Sequence, residues 1–460
     1  RAYSPTYLSS QNDRGTASWE VREAYGAFLP AVSAQTSVAY TQAGAQRIGT
    51  LDFGSQSTDW HSSNYFVGLT WTLNGSTVFG VSNARARQRA TEAGVQAAEF
   101  DLGTTVAFQY MTVLRARDGL EVARRQLDRA RQNLQIVTTR VATGAVAGTD
   151  GRQAQVDLGR AEVALIQAER DLRQARLLLG ERIGVSLTEE VELSSSFEVF
   201  EPGLDVDELV DLALGAHPAL NAFRAQESAS RARARQTSTS QYLPTVSVST
   251  GFRGNTLEAL NQDFIVGQAQ GLAESRVSNC EFRNALDAGL SGGRPGYTPE
   301  DCVQYAFTEQ ARAAALASND VFPFDFTKLP LSVSMTVSLP IFTGFSRARQ
   351  VSEANNAAED ARHERRAEEL RLRTAVLSSY DNLVSAYRLV EAESRNLTLS
   401  EEQLQLQQRR YALGAADLLL LMDAETALSS AEQGYLDAVY DFHYNLIALE
   451  ASVGRTIRDR

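Results

Sequence analysis

The feature that most constrains the fold is an internal repeat: residues 106–184 align without a gap on residues 376–454, at a constant offset of 270. Within the repeat, RVATGA at 140–145 returns as RYALGA at 410–415. A looser correspondence precedes it, in which FLPAVS is followed much later by YLPTVS. The chain therefore contains two copies of one structural plan.

Long segments of each copy have apolar residues at seven-residue spacing, with alanines between many of them. They are Leu120, Leu127, Leu134 and Val141, then Leu158, Leu165, Leu172 and Leu179, and in the second copy Val390, Leu397, Leu404 and Tyr411. This spacing predicts coiled-coil helices, and alanine lets such helices approach closely. Gly144 and Gly414 interrupt the pattern and predict two helical hairpins, because helices often end at a left-handed residue. A helix over 82–142 would be on the order of 90 Å long.

Four other segments alternate with a period of two, which predicts strands at about 28–44, 63–74, 243–254 and 329–341. One face of each is apolar, and the opposite face carries mostly small Ser, Thr, Gly and Ala. The segments have the length of tilted transmembrane strands. A soluble sandwich would also have one apolar face, but small polar residues suit the lining of a lumen better.

Four strands cannot close a membrane barrel, which needs at least eight. Open strand edges in lipid would leave backbone groups unpaired, so several chains must share one barrel. Three chains would give twelve strands, whereas two would give a barrel too narrow for a lumen. The loop at 254–328 is long and is predicted to be irregular and extracellular, because long loops of bacterial barrels face outside.

Composition and spacing limit the alternatives. The net charge of -12 argues against a nucleic-acid partner. No apolar run has the roughly 18 residues of a membrane helix, which does not exclude membrane strands. The sequence contains no nucleophile–base pair, phosphate loop or spaced histidine cluster, so neither an enzyme, nor a cofactor, nor a metal site is expected. Cys280 and Cys302 are predicted to form a disulfide if the protein is exported, the alternative being two free thiols.

These observations divide the chain into four parts. Residues 1–184 form the first repeat, with a helix, two strands and a hairpin whose tip lies near 144–150. Residues 185–217 form a linker, with a strand near 190–200 and a short helix at 205–214. Residues 218–454 form the second repeat, with its hairpin tip near 414–423, and residues 455–460 are a tail.

The doubled plan, the FLPAVS and YLPTVS strand entries, the exit SLPIFTGFSRAR and the turns RVATGAVAGTD and RYALGAADLLLLMDAETAL together resemble the TolC-like outer-membrane factors. These proteins serve tripartite efflux pumps and type I secretion. The resemblance covers nearly the whole chain. It implies an α plus transmembrane β fold: a trimeric 12-stranded β-barrel, with four strands from each chain, continued by a long coiled-coil α-helical barrel in the periplasm.

The resemblance also implies partners and a place in the cell. The chain is expected in the outer membrane, among its lipids, as a homotrimer. It would work with a periplasmic adaptor (membrane fusion) protein and an inner-membrane transporter of the RND, ABC or MFS type. Substrates would pass through it without being chemically changed. The alternative is a soluble coiled-coil scaffold or adaptor that conducts nothing, which leaves the four strand patterns unexplained.

In this family the hairpin tips close the tunnel. The resemblance places Asp150 at a tip aspartate, Tyr411 at a tyrosine facing it, and Asp423 at one of two carboxylates in the second tip. Leu420 replaces the other carboxylate, and Ala416 stands where an arginine is common, followed by Asp417. The set of polar residues that would hold the tips closed is therefore incomplete. The apolar run 418–421 is expected to form a hydrophobic constriction instead.

Asp150, Asp417 and Asp423 have two interpretations. As acidic rings around the tunnel they would favour cations. Alternatively, some of them only cap the returning helices, where an aspartate at the N-terminus is stabilising.

Overall fold

The computed structural model describes residues 3–48, 51–56, 58–186 and 198–457, and all structural statements concern these residues. They form two compact units. The first comprises Arg1–Ala24, Phe79–Gln241 and Phe342–Arg460, and the second comprises Tyr25–Val78 and Tyr242–Ile341. None of the helices in these ranges combines the length and hydropathy that crossing a bilayer requires.

The elements of the first copy begin with a helix and end in the first helical hairpin. They are α1 (Pro5–Gly26), β1 (Ala31–Thr41), β2 (Gly44–Ile48), β3 (Leu51–Gln56), β4 (Trp60–Leu73), α2 (Gly75–Ala142) and α3 (Gly148–Ile183). The short helix α4 (Val206–Ala216) follows, close to the predicted 205–214. Residues 187–197, which include most of the strand expected near 190–200, lie outside the described ranges.

The second copy repeats the plan with a larger insertion between its strands. Its elements are α5 (Pro218–Tyr242), β5 (Thr245–Ala259), α6 (Gln262–Ala288), a 3₁₀ turn (Cys302–Tyr305), α7 (Glu309–Asn319), β6 (Thr327–Lys328), β7 (Ser332–Ser338), α8 (Ser346–Ala412) and α9 (Leu418–Val453). The insertion was expected to be irregular, and this expectation was wrong. Most of 262–319 is helical, because the Asn261 side chain caps α6 and the Thr308 side chain caps α7.

In the first unit, the four hairpin helices pack through apolar seams. Val113 and Leu120 of α2 meet Leu172 and Leu179 of α3. Another face of α2 contacts α9, where Leu114 meets Tyr440. The helices α4, α8 and α9 share a further core. The heptad positions predicted from the sequence therefore include buried seam residues.

Both returning helices end in the same way. Gly184 after α3 and Gly454 after α9 occupy equivalent repeat positions, and both have left-handed backbones, with φ values of 78° and 86°. A β-carbon at Gly184 would lie 1.9 Å from the carbonyl oxygen of Tyr3. Glycine is required there both for its backbone and for the close approach of the chain.

In the second unit, β1, β4, β5 and β7 form an antiparallel sheet in that order, and the two-residue β6 extends the side of β5 that also pairs with β7. Ala31–Thr41 pairs with 60–70, Trp60–Leu73 with 246–259, and Thr245–Gly251 with 332–338. Between β1 and β4 the chain forms the separate β2–β3 hairpin. The register places the Ser/Thr-rich faces of all four strands on one side of the sheet, which we call the small-residue face.

A helical cap, made of α6, the 3₁₀ turn and α7, follows β5 in the second unit. It is held by a disulfide between Cys280 and Cys302, and Cys280 is fully buried. Asn284 of α6 helps to hold the segment before Cys302 in place. Its side chain donates to the Glu300 carbonyl at 2.8 Å and accepts from the Tyr297 hydroxyl at 2.7 Å. The cysteines are therefore paired in the structure, as expected for an exported protein.

Candidate functional site at the hairpin tips

The tips of both hairpins have the same turn geometry. Gly144 and Gly414 each have a φ of 73°. Their amides donate to the carbonyls of Val141 and Tyr411, both at 3.0 Å. The left-handed conformation is reached at little cost by glycine, so the repeated glycine has a local structural reason. The two turns then differ in what holds them.

The second turn is held by an arginine from the first hairpin. The Arg140 guanidinium donates to the Tyr411 carbonyl at 2.6 Å and lies 4.4 Å from the centre of the Tyr411 ring. A charged hydrogen bond and a cation–π contact thus act on one residue. The equivalent residue in the second copy, Arg410, is exposed. The contact therefore breaks the symmetry of the repeat.

The Tyr411 hydroxyl makes no hydrogen bond to Asp150, the residue that the resemblance places opposite it. The Tyr411 side chain is only 2% exposed and packs in a core with Val137, Leu404 and Leu421. Its hydroxyl has no hydrogen-bond partner among the described residues.

Arg140 is not among the residues that the resemblance indicates, because the family's arginine follows the glycine of the second turn. The signal was present in the repeat itself. Arg140 and Arg410 begin the matching turns RVATGA and RYALGA, but only the second turn places an aromatic residue next to its arginine. Which arginine reaches across to that ring depends on the packing of α2 against α8 and α9.

The predicted aspartates take different positions. Asp417 is the N-cap of α9, and its side chain accepts from the Leu420 amide at 3.1 Å. Asp150 lies in the first turn of α3, whose own N-cap, Ala147, makes no side-chain hydrogen bond. Asp423 is exposed on α9. The capping interpretation therefore accounts for Asp417, while Asp423 lies beyond the cap.

The expected constriction at 418–421 needs correction. Leu418 and Leu421 are 8% and 2% exposed and belong to the tip core, whereas Leu419 and Leu420 are 65% and 43% exposed. The helical period turns 418 and 421 to the same buried side. Within this run, only Leu419 and Leu420 remain available to line a passage.

A half-buried carboxylate, that of Glu425, lies one helical turn after Leu421 on α9. The Asn133 side-chain amide donates to Glu425 of α9. Burial raises the pKa of the Glu425 carboxyl to about 7, with Arg129 opposing the increase and Asp157 adding to it. Arg129 is held at 3.0 Å by Glu432, so its charge is shared. Glu425 therefore changes its charge near neutral pH.

Farther along the same helix pair, polar contacts continue between α2 and α9. Arg115 donates to Asp437 at 2.8 Å, and Tyr444 bonds to Thr112 at 3.0 Å. The Tyr440 hydroxyl donates to Asp118, and burial together with this hydrogen bond raises its pKa. These contacts fix the first hairpin against the second over much of their length.

The sequence pattern of the family described as outer membrane efflux protein matches residues 3–185 and 310–455, well over half of the chain. The chain belongs to this family. The family predicted from the sequence is therefore confirmed, and so is the predicted outer-membrane location. The hairpin helices and most of the sheet described above lie within the matched ranges, whereas β5 and α6 fall between them.

Known proteins agree with this assignment. Over 191 residues the chain is 29% identical to the cobalt-zinc-cadmium resistance protein CzcC of Cupriavidus metallidurans. That match covers 41% of this chain and 44% of CzcC, so the chain spans less than half the length of this curated relative.

Solved channels have the same fold over nearly the entire chain. The Campylobacter jejuni CmeC outer membrane channel has a TM-score of 0.71 at 11% identity, covering 98% of this chain and 83% of that one. The Neisseria gonorrhoeae MtrE outer membrane channel in its open state has a TM-score of 0.68 at 17% identity, covering 99% and 87%. The predicted combination of long helices and a strand unit is confirmed by these likenesses.

Proposed function

We propose that this outer-membrane efflux protein is the channel component of a tripartite export system, and that three copies share one twelve-stranded barrel. It conducts substrates delivered by an inner-membrane transporter and a periplasmic adaptor, and it catalyses no reaction. Channels of its family are trimers that work with such adaptors and transporters. The transporter would be of the RND, ABC or MFS type.

The observation that carries this proposal is the open sheet of the second unit. Its end strands β1 and β7 each have one edge without a partner in the described residues. The apolar side of the sheet is exposed on both strands, with Val32 at 71% and Val333 at 69%. Unpaired edges and an exposed apolar face are both costly in a single copy. Copies joined edge to edge in lipid satisfy both.

Fractionation and channel recording test this proposal against the soluble scaffold. We expect the protein in outer membranes, released only by detergent, as a trimer that forms conducting channels in planar bilayers. A periplasmic adaptor expressed in parallel is the control, because it shows whether other proteins contaminate the outer-membrane fraction. Recovery as a soluble monomer without channel activity would rule out the proposal.

We further propose that the hairpin tips are the gate. Arg140 links the two hairpins of one copy through Tyr411, while Leu419 and Leu420 present apolar surface at the start of α9. Releasing the Arg140 contact would free the second tip to move away from the first. In this proposal the gate uses an arginine on the first hairpin, whereas the resemblance implies one after the second turn.

Cations are the cargo that the tips favour. Asp150 and Asp423 carry negative charge near the turns, and three copies would multiply it into rings that attract cations. The 29% identity with a protein named for cobalt, zinc and cadmium resistance supports the same class. Asp423→Ala should reduce cation selectivity and block by divalent cations. If neither changes, Asp423 does not contribute to such a ring.

A further inference from the structure

The small-residue face of the sheet carries few large side chains. Trp60 and Leu257 lie toward one end of the paired strands, and two others lie next to each other nearer the middle. Within the paired ranges 31–41, 60–73, 245–259 and 332–338, this face carries mostly Ser, Thr, Gly, Ala, Asn and Gln. Phe66 and Arg253 are directly paired on it across β4 and β5. Arg253 is the single charged residue of the face in these ranges, and Phe66 is its one aromatic residue apart from Trp60 at the strand end.

The Phe66 ring lies flat along the sheet because two glycines leave room for it. A β-carbon at Gly68 would lie 2.3 Å from the ring Cζ and 2.4 Å from Cε1. A β-carbon at Gly251, the direct partner of Gly68, would lie 2.8 Å from Cε2 of the same ring. The ring therefore occupies the space that side chains at both positions would take, and 41% of Phe66 remains exposed.

We infer that Phe66 and Arg253 set the width and the charge selectivity of the barrel lumen at their level. Gly68 positions the ring against the wall so that the passage stays open. This inference rests on the proposed trimeric channel, in which the small-residue face lines the lumen. Three copies place three aromatic rings and three positive charges at one level.

The two residues have different effects on passage. The ring sets the width, because a side chain that leaves the wall would project into the lumen. The guanidinium sets the sign, because rings of charged side chains favour the opposite ion. At this level the barrel favours anions, in contrast to the acidic tips.

Gly68→Ala is the decisive perturbation. The added methyl takes the place of the ring, which can escape by rotating about χ1 to another staggered position, away from the wall. We expect single-channel conductance to fall about twofold. Phe66→Ala combined with Gly68→Ala should restore the conductance to at least the wild-type value. Gly251→Ala is unsuitable, because its β-carbon would also lie 2.8 Å from the Val67 carbonyl oxygen.

Arg253→Gln tests the charge. In a salt gradient across the bilayer, we expect the cation-to-anion permeability ratio to rise about two- to fivefold at low ionic strength, and less at high salt because of screening. Val67→Ala is the matched control, since Val67 lies between Phe66 and Gly68 but faces the opposite side of the sheet. It should change neither conductance nor selectivity.

All variants are recorded as full-length trimers in planar bilayers, both in the wild-type background and with Arg140→Ala, so that a closed tip does not mask the barrel. If the protein without barrel substitutions conducts neither with nor without Arg140→Ala, the proposed channel function itself is refuted. Conducting channels in which Gly68→Ala has no effect, or in which the double variant fails to restore conductance, refute the role of the ring. An unchanged permeability ratio in Arg253→Gln refutes the role of the charge.

Discussion

The contact between Arg140 and Tyr411 gives the sharpest prediction about the gate. Arg140→Ala removes the 2.6 Å hydrogen bond to the Tyr411 carbonyl and the cation–π contact at 4.4 Å. A hydrogen bond from a charged group contributes about 1.5–3 kcal/mol, and a partly exposed cation–π contact adds about 0.5–1 kcal/mol. The lower ends of both ranges suit a side chain at the tip surface, which gives about 2 kcal/mol per copy.

An energy of about 2 kcal/mol corresponds to about a 30-fold shift in the equilibrium between the held and the released tip. We therefore expect Arg140→Ala to raise the open probability of single channels. It should also speed hydrogen exchange at the amides of Gly414 and Ala415, which close the second turn. Arg140→Lys keeps the charge but loses the planar group that donates and stacks. It should therefore raise the open probability, but less than Arg140→Ala does.

Arg410→Ala is the matched control, because Arg410 occupies the equivalent repeat position and is exposed. Tyr411→Phe should also be nearly neutral, since the Tyr411 hydroxyl has no hydrogen-bond partner in the described part of the chain. The reasoning is refuted if Arg410→Ala changes gating as much as Arg140→Ala does. A large effect of Tyr411→Phe would instead favour a bond from the hydroxyl to a neighbouring copy.

Three further predictions concern stability. Asp417→Ala should destabilise the start of α9 by about 1 kcal/mol, the usual cost of losing an N-cap, measured by hydrogen exchange in its first turn. Because the folded-state pKa of Glu425 is raised to about 7, the folded state binds more protons than the unfolded state between about pH 4.5 and pH 7, so stability should fall as the pH rises through that window. Glu425→Gln should remove this dependence and stabilise the tip at pH 8 by about 2 kcal/mol, with unfolding at pH 5 and pH 8 as the assay. Replacing Cys280 and Cys302 by serine opens a loop with a sequence separation of 22 and should cost the cap about 3 kcal/mol, seen as faster proteolysis of α6.

The elements whose signals are local could be predicted from the sequence. The heptad spacing and the glycines of the two turns indicated the hairpins, because a helix and its end depend on residues a few positions apart. The same holds for the four strands, whose alternation reflects one apolar side. The repeat at an offset of 270 then indicated that both halves share one plan.

The helical cap could not be predicted from local patterns of this kind. Residues 262–288 contain Gly267 and Gly271, and their apolar residues form no continuous helical stripe, so periodicity does not indicate a helix there. The helix forms because Asn261 caps it and because Cys280 is tied to a segment that follows it. Neither contribution is visible in hydrophobic periodicity.

The sequence by itself determined the two hairpins, the four strands, their alternating faces and the family, since each depends on the order of nearby residues. Only the tertiary structure decided that Arg140 holds Tyr411, that Leu418 and Leu421 are buried while their neighbours are exposed, and that Phe66 lies over Gly68. They depend on contacts between helices far apart in the chain, or on the pairing of β4 with β5, since the Phe66 ring also lies over Gly251. The register of the strands and the rotation of each helix in its bundle fix them, and both are set by packing.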